Sequence, residues 1–115
     1  MPSWRSAPPD ILTLSQKGKT VTGRFGWQLV YDKGYGSSTY CYTGKGGTLQ
    51  GTVKGRTLMG TMTYPARGGH PRSTATVEAT MSQNGRAFDA RSHIVTGECA
   101  PYGAYPTFEA VRVGA

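Results

Sequence analysis

Three basic side chains, Arg67, His70 and Arg72, occur close together in the stretch PARGGHPR, residues 65–72. Guanidinium and imidazolium groups bind carboxylate, sulfate or phosphate through charge-assisted hydrogen bonds. The spacing therefore predicts an anion-binding loop. A solvated basic loop without a ligand is the alternative explanation of the same residues.

Aromatic residues concentrate in two other stretches, around residues 26–46 and 96–106. Tyrosine combines a flat apolar face with a hydroxyl, which suits sugars, aromatic molecules and protein partners. The alternative is that these side chains cover the end of the core from water. The predicted ligand-binding residues of the two stretches are Trp27, Tyr31, Tyr35, Tyr40, Tyr42, Tyr102 and Tyr105. Neighbouring inward-facing positions complete the set with Phe25, Met62, Tyr64 and Met81.

Signatures of catalysis and of metal binding are sparse. The weak candidates for proton transfer are His70, Tyr31, Tyr64 and Glu98, and spacing assigns no partner to any of them, so no catalytic residue is assigned. Two histidines without cysteine or carboxylate at ligand spacing predict no metal site. No phosphate-binding loop or nucleophile motif is present, and no cofactor is predicted.

A row of charged residues, Asp89, Arg91 and His93, alternates with apolar residues along one stretch. Phe88 and Ile94 occupy the opposite face of the same stretch. This pattern predicts an outward-facing solvated row rather than an active site.

Cys41 and Cys99 are the two cysteines of the chain, and each falls in one of the aromatic stretches. A disulfide between them would join the two stretches, whereas a reducing compartment would leave two free thiols. We expect a secreted or periplasmic location, with a cytoplasmic one as the alternative. No apolar run approaches the ~20 residues that span a bilayer, so no membrane insertion is expected.

The amino-acid composition limits the fold classes and partners that the chain can have. The chain has 115 residues, of which 17% are charged, 37% are hydrophobic and 17 residues are glycine. These values favour a single turn-rich β domain over residues 1–115. A net charge of +7 favours anionic partners. Basic residues are predicted at both ends of the fold, so nucleic acid is not the expected partner. The residues at the end opposite the aromatic stretches are Lys17, Lys19, Lys54, Arg56 and Arg86.

Alternation of apolar and polar residues predicts three successive β-hairpins. Their breaks fall at Lys17-Gly18, Lys54-Gly55 and Asn84-Gly85. A closing strand over 107–113 and an opening strand near Trp4 would make eight strands. The pattern therefore predicts an eight-stranded antiparallel up-and-down β-barrel without significant helix.

In such a barrel the three tight turns lie at one end, and the connections 26–46, 65–73 and 96–106 lie at the other, open end. Gly23, Gly51 and Gly60 share a face with the large apolar residues. We interpret them as inward positions where a missing side chain permits bending and close approach of strands.

A set of residues spread along the chain is typical of one group of barrels: Trp4, the pattern from Leu12 to Gly23, two Gly-Thr pairs beginning at Gly51 and Gly60, and the last-strand residues Phe108, Ala110 and Arg112. In these residues the chain resembles the lipocalin and avidin superfamily of small barrels, the calycins. The resemblance implies that Arg112 packs across Trp4 at the closed end. The tryptophans that surround biotin in avidins are missing, so the resemblance does not imply biotin binding.

Three hypotheses of function follow. The first is a non-catalytic barrel that binds a small apolar or aromatic molecule through its open end. The second is a binding module whose outer surface recognises a glycan, an acidic polymer or a protein, as lectins and protein inhibitors do. The third is a cofactor-free isomerase or cyclase that uses the lumen.

Overall fold

A computed structural model describes residues 3–6, 11–32, 40–84, 87–102 and 107–113. The strands are β1 (Ser3–Ser6), β2 (Ile11–Lys17), β3 (Thr20–Phe25), β4 (Val30–Asp32), β5 (Tyr40–Tyr42), β6 (Gly47–Lys54), β7 (Thr57–Tyr64), β8 (Ser73–Met81), β9 (Ala87–Thr96) and β10 (Thr107–Val113). The one helical element in these ranges is a 3₁₀ turn, Ala100–Tyr102. The predicted all-β class is confirmed. No helix in the described part of the chain is long and apolar enough to cross a bilayer.

Seven strands form a curled antiparallel sheet in the order β10-β9-β8-β7-β6-β3-β2. Strands adjacent in the sheet follow one another along the chain, apart from the step from β3 to β6. β4 and β5 pair separately as a small two-stranded sheet. In β1, Trp4 is aligned with Leu12 of β2 and with Arg112 of β10.

Two-residue turns join β2 to β3 and β6 to β7. In the second hairpin Lys54 pairs with Thr57, which makes residues 55–56 the loop, and the first hairpin has the same geometry. Gly18 and Gly55 are the first loop residues, each with a φ of 62°. Glycine at this position is the pattern of the type II′ turn, whose twist matches that of the strands. Both loops therefore begin one residue later than the sequence pattern suggested.

The inner face of the sheet is packed with apolar side chains. Leu12 and Ile94 have no exposed surface. Burial alternates along β8 from Ser73 to Ala79, as expected for a strand with one face on the core. The inward residues of β8 and β9 are mostly small, which leaves volume for the larger side chains of the other strands. The remaining buried apolar residues include Leu14, Val21, Phe25, Leu49, Leu58, Met62, Tyr64 and Phe88.

β6 and β7 approach each other closely where Gly51 and Gly60 pair. A Cβ atom on Gly60 would collide with the backbone oxygen of Gln50 and would lie 2.7 Å from the Cα of Gly51. A Cβ atom on Gly23 would lie 2.8 Å from the backbone oxygen of Thr13. These glycines thus permit close strand contact, the role inferred for them from the sequence.

The connection 26–46 contains structure that the sequence pattern did not reveal. Tyr31 of β4 pairs with Cys41 of β5. Beyond β5, the backbone N–H of Thr43 donates to the oxygen of Leu29, and the Leu29 N–H donates to the Thr43 hydroxyl. Strands of three residues are too short to show alternation, which explains why this hairpin was predicted as a plain connection.

Several predictions concern residues or side chains outside the described part of the chain. Tyr35, Gly85, Arg86 and Tyr105 fall outside it entirely, and so do the side chains of Trp4, Tyr102 and Arg112. The contact of Arg112 with Trp4 therefore stays a prediction.

Candidate binding site

A disulfide joins two of the long connections at the same end of the sheet. Cys41 of β5 and Cys99, which follows β9, are both fully buried, and their Cα atoms are 5.4 Å apart. This confirms the predicted pairing. The bond fixes the small sheet against the segment that leads towards β10.

His70, Glu98 and Tyr42 form a second junction between the same connections and the loop 65–72. Nδ1 of His70 lies 3.4 Å from Oε1 of Glu98. Oε2 of Glu98 accepts a 2.7 Å hydrogen bond from the backbone N–H of Tyr42. The ring centroids of Tyr42 and His70 are 5.3 Å apart. The structure thus brings together two proton-transfer candidates, His70 and Glu98, in a contact that anchors loops.

Four aromatic residues form a separate cluster at this end of the sheet. The rings of Phe25 and Trp27 stack at 4.6 Å, and Tyr64 meets Phe25 edge-on at 5.0 Å. Phe108 lies 5.1 Å from Trp27. Nε1 of Trp27 donates a 3.3 Å hydrogen bond to the hydroxyl of Tyr64. The cluster covers the core at this end of the sheet.

The predicted ligand-binding residues divide between the core and the surface. Phe25 is 4% exposed, Met62 0% and Tyr64 1%, so these side chains belong to the packed core. Tyr40 is 53% exposed. The others with described side chains, which are partly buried, are Trp27, Tyr31, Tyr42 and Met81. A ligand in the lumen stays a prediction, and it would require the packed core to open.

Tyr64 provides a test of this packing. Burial raises the pKa of Tyr64 above its usual value, and the hydrogen bond from Trp27 opposes part of that rise. The unfolded chain releases this proton near pH ~10, whereas the folded chain retains it. The free energy of unfolding should therefore fall as the pH rises above about 10.

We expect an absorbance titration of the tyrosines to show one group that ionises later than the rest, and the substitution Tyr64→Phe to remove it. Tyr40→Phe is the control, since it removes an exposed tyrosine. Loss of an early-titrating group in the Tyr64→Phe variant would show that Tyr64 is accessible.

Three exposed basic residues line a groove on the outer surface, at the end of the sheet that carries the long connections. Arg24 of β3, Lys45, which precedes β6, and Arg67, which follows β7, surround a volume of about 520 Å³. We call this the basic groove. The backbone of Gly46 and Gly47 contributes to its lining. Nη1 of Arg67 donates a 3.2 Å hydrogen bond to the carbonyl oxygen of Lys45, which links two of its walls.

Long-range pairing brings these residues together. Arg24 is aligned with Thr48 of β6, so its side chain stands beside the segment that carries Lys45. Arg67 begins a tight turn in which its backbone N–H and C=O both bond to His70. The two central residues, Gly68 and Gly69, have positive φ, the pattern of a type I′ turn.

The basic groove differs from the anion site suggested by the sequence. Arg67 belongs to both groups, but His70 contacts Glu98 instead, and Arg72 is exposed and does not line the groove. Sequence reasoning missed Arg24 and Lys45 because no local pattern connects them with Arg67. The predicted trio of Arg67, His70 and Arg72 remains an untested prediction.

The charges of the basic groove are uncompensated within the described structure. Of the residues described, His70 contacts the carboxylate of Glu98, while Arg24, Lys45 and Arg67 have no acidic partner within ion-pair distance. Like charges around one groove repel each other, and a bound anion would relieve that repulsion. Guanidinium groups in addition suit carboxylate and sulfate geometry.

The outer surface of β8 and β9 carries a different set of charges. Glu78 is aligned with Arg91, and Asp89 lies two residues from Arg91 on the same strand. All three are exposed and line one depression, whereas His93 is partly buried. The row faces outward as predicted. Two carboxylates share this depression with one guanidinium, so it attracts anions less than the basic groove does.

The basic groove offers cationic side chains and threonine hydroxyls to a ligand. Among the described residues, no group of three His, Cys, Asp or Glu side chains is placed to hold a metal ion. No protein-family model matches this chain, and neither the curated proteins nor the solved structures include a significant match to it.

Proposed function

We propose that this chain is a non-catalytic binding domain that recognises an anionic polymer on its outer surface, at the basic groove. The observation that carries the proposal is the convergence of Arg24, Lys45 and Arg67 on one groove without an ion pair among the described residues. A polymer with repeated negative charges can engage several cations at once and gains affinity from that multivalency. The net charge of +7 favours its encounter with the domain.

Binding on the outer surface agrees better with the packing than binding in the lumen. The inward residues assigned to a lumen ligand, Phe25, Met62 and Tyr64, are buried against one another and their neighbours. Burial raises the pKa of Tyr64, so its hydroxyl loses its proton less readily than an exposed tyrosine does, which disfavours it as a catalytic base. A lumen ligand and an isomerase or cyclase activity therefore have less support than the outer-surface site.

We also propose that β1 closes the sheet into an eight-stranded barrel of the calycin kind. The alignment of Trp4 with both Leu12 and Arg112 supports this closure, because a strand paired with both β2 and β10 would join the two outer strands. Closure would remove both sheet edges. A secreted or periplasmic location is part of the same proposal, since the disulfide is compatible with an oxidising compartment.

Charge removal at the basic groove tests the function. We expect the triple variant Arg24→Gln, Lys45→Gln and Arg67→Gln to bind dextran sulfate about tenfold more weakly than the wild type, which corresponds to ~1.4 kcal/mol. The reason is the loss of three charge-assisted contacts. Fluorescence anisotropy of the labelled polymer at low and high salt measures the change.

The matched control removes the same charge at the other end of the sheet, with Lys17→Gln, Lys54→Gln and Arg56→Gln. All three control residues are exposed. The control should retain most of the affinity. If both triple variants lost the same affinity for dextran sulfate, net charge alone would explain the binding. A wild type that binds no polyanion would refute the proposed function.

A further inference from the structure

A second groove continues from the basic groove across the outer face of β2, β3 and β6. It encloses about 530 Å³ and shares Arg24 and Thr48 with the basic groove. The side chains that extend it are polar and uncharged: Thr13, Ser15, Thr22 and Gln50. We call these four residues the polar strip. A ligand longer than one charged group could therefore pass from the basic groove onto the polar strip.

The strand register arranges these residues in two rows. Thr13, Arg24 and Thr48 are aligned across the three strands in one row. Ser15, Thr22 and Gln50 are aligned in the next row. Strands lie ~4.8 Å apart, and residues two apart on a strand lie ~7 Å apart on the same face. The face thus presents hydrogen-bonding groups at regular short intervals beside a cation.

These polar groups are available to a ligand. Thr22, Thr48 and Gln50 are exposed, and within the described ranges their side chains hydrogen-bond to no other residue. Hydroxyl and amide groups both donate and accept hydrogen bonds. Sugar hydroxyls have the same dual character, whereas a phosphate backbone only accepts.

The lining also argues against single-stranded nucleic acid. Proteins that bind it supply aromatic rings on which bases stack. Among the described residues that line the two grooves, the one aromatic residue is Phe25, which is buried. None of the described residues that line the two grooves carries a carboxylate, so these residues do not repel an acidic ligand.

From these observations we infer that the anionic polymer is an acidic polysaccharide, whose carboxylate or sulfate groups bind at the basic groove while its sugar hydroxyls bind along the polar strip. The inference rests on the proposed function and adds the class of ligand. The inference requires the domain to bind acidic polysaccharides more tightly than other polyanions. Charge alone does not provide that preference.

The test separates sugar recognition from charge recognition. The double variant Thr22→Val and Gln50→Leu removes polar groups from the strip and leaves every charge in place. We expect it to bind carboxymethyl dextran and dextran sulfate five- to tenfold more weakly, as the loss of about two net hydrogen bonds implies. Its affinity for inorganic polyphosphate should stay within about twofold of the wild-type value.

The control variant Thr76→Val and Gln83→Leu makes the same chemical changes at exposed positions outside both grooves. It should bind all of these polymers as the wild type does. Comparison of carboxymethyl dextran with dextran sulfate shows which acidic group is preferred, and neutral dextran should bind much more weakly than either.

Three results would overturn the inference. Polyphosphate or single-stranded DNA could bind as tightly as the acidic polysaccharides and depend only on the basic groove, in which case the proposed function stands without a sugar ligand. Unchanged polysaccharide affinity in the polar-strip variant would exclude contact with the strip. A wild type that binds none of the polyanions would refute the inference together with the proposed function.

Discussion

Replacing Gly60 with alanine is expected to destabilise the domain by about 3 kcal/mol. The added Cβ would meet the backbone of β6 at Gln50 and Gly51, and not a flexible side chain that could turn aside. To relieve this collision, β6 and β7 would have to move apart. That movement would weaken the backbone hydrogen bonds between them. Since both strands lie in the middle of the seven-stranded sheet, that movement would disturb packing on both sides.

Urea unfolding followed by tryptophan fluorescence measures the effect as a lower midpoint. Gly26→Ala is the matched control, because an added Cβ there would have no atom within 4 Å. The control should change stability by less than about 1 kcal/mol. If the two variants unfolded at the same urea concentration, close contact between β6 and β7 could not be the reason for glycine at position 60.

Removal of the disulfide is expected to cost about 4 kcal/mol of stability, because Cys41 and Cys99 are 58 residues apart and close a long loop. The double variant Cys41→Ala and Cys99→Ala shows this loss directly. In the wild type, a reducing agent should lower the unfolding midpoint by a similar amount. The same agent should not change the unfolding midpoint of the double variant, which serves as the control for effects of the reagent itself.

The disulfide prediction has a second, local readout. Cys41 belongs to β5, and hydrogen bonds between Leu29 and Thr43 continue the small sheet towards Lys45. Loss of the bond should increase hydrogen exchange in residues 40–46 more than in β7 and β8. Exchange that increased evenly over the whole chain would indicate that the bond stabilises the domain without shaping the small sheet.

Alternation along the chain was enough to predict the large hairpins, because period-two burial is a local property of a strand with one covered face. It predicted the outward row around Arg91 and the inward glycines for the same reason. It did not predict β4 and β5, whose three-residue strands carry too little pattern. Their position depends on contacts with residues 43–46 that lie beyond the strands themselves.

The candidate site was less predictable than the fold. Because Arg67, His70 and Arg72 are close in the sequence, we predicted that they act together. In the structure His70, the last residue of the turn 67–70, contacts Glu98 instead. Arg24 and Arg67 line the same groove because β3 pairs with β6 and β6 pairs with β7. The pairing of β3 with β6 is a long-range contact. Grooves on a sheet surface depend on register, and one sequence does not display register between distant strands.

The disulfide also determines how the domain would respond to mechanical force. Cys41 and Cys99 enclose β6 to β9 in a covalent ring, while β1 to β4 and β10 lie on the two tails outside it. Tension applied to the two termini would pass through the sulfur atoms and would not stretch the ring. The tails would peel from the sheet first, and the four central strands would stay joined as a hairpin array until the bond was reduced.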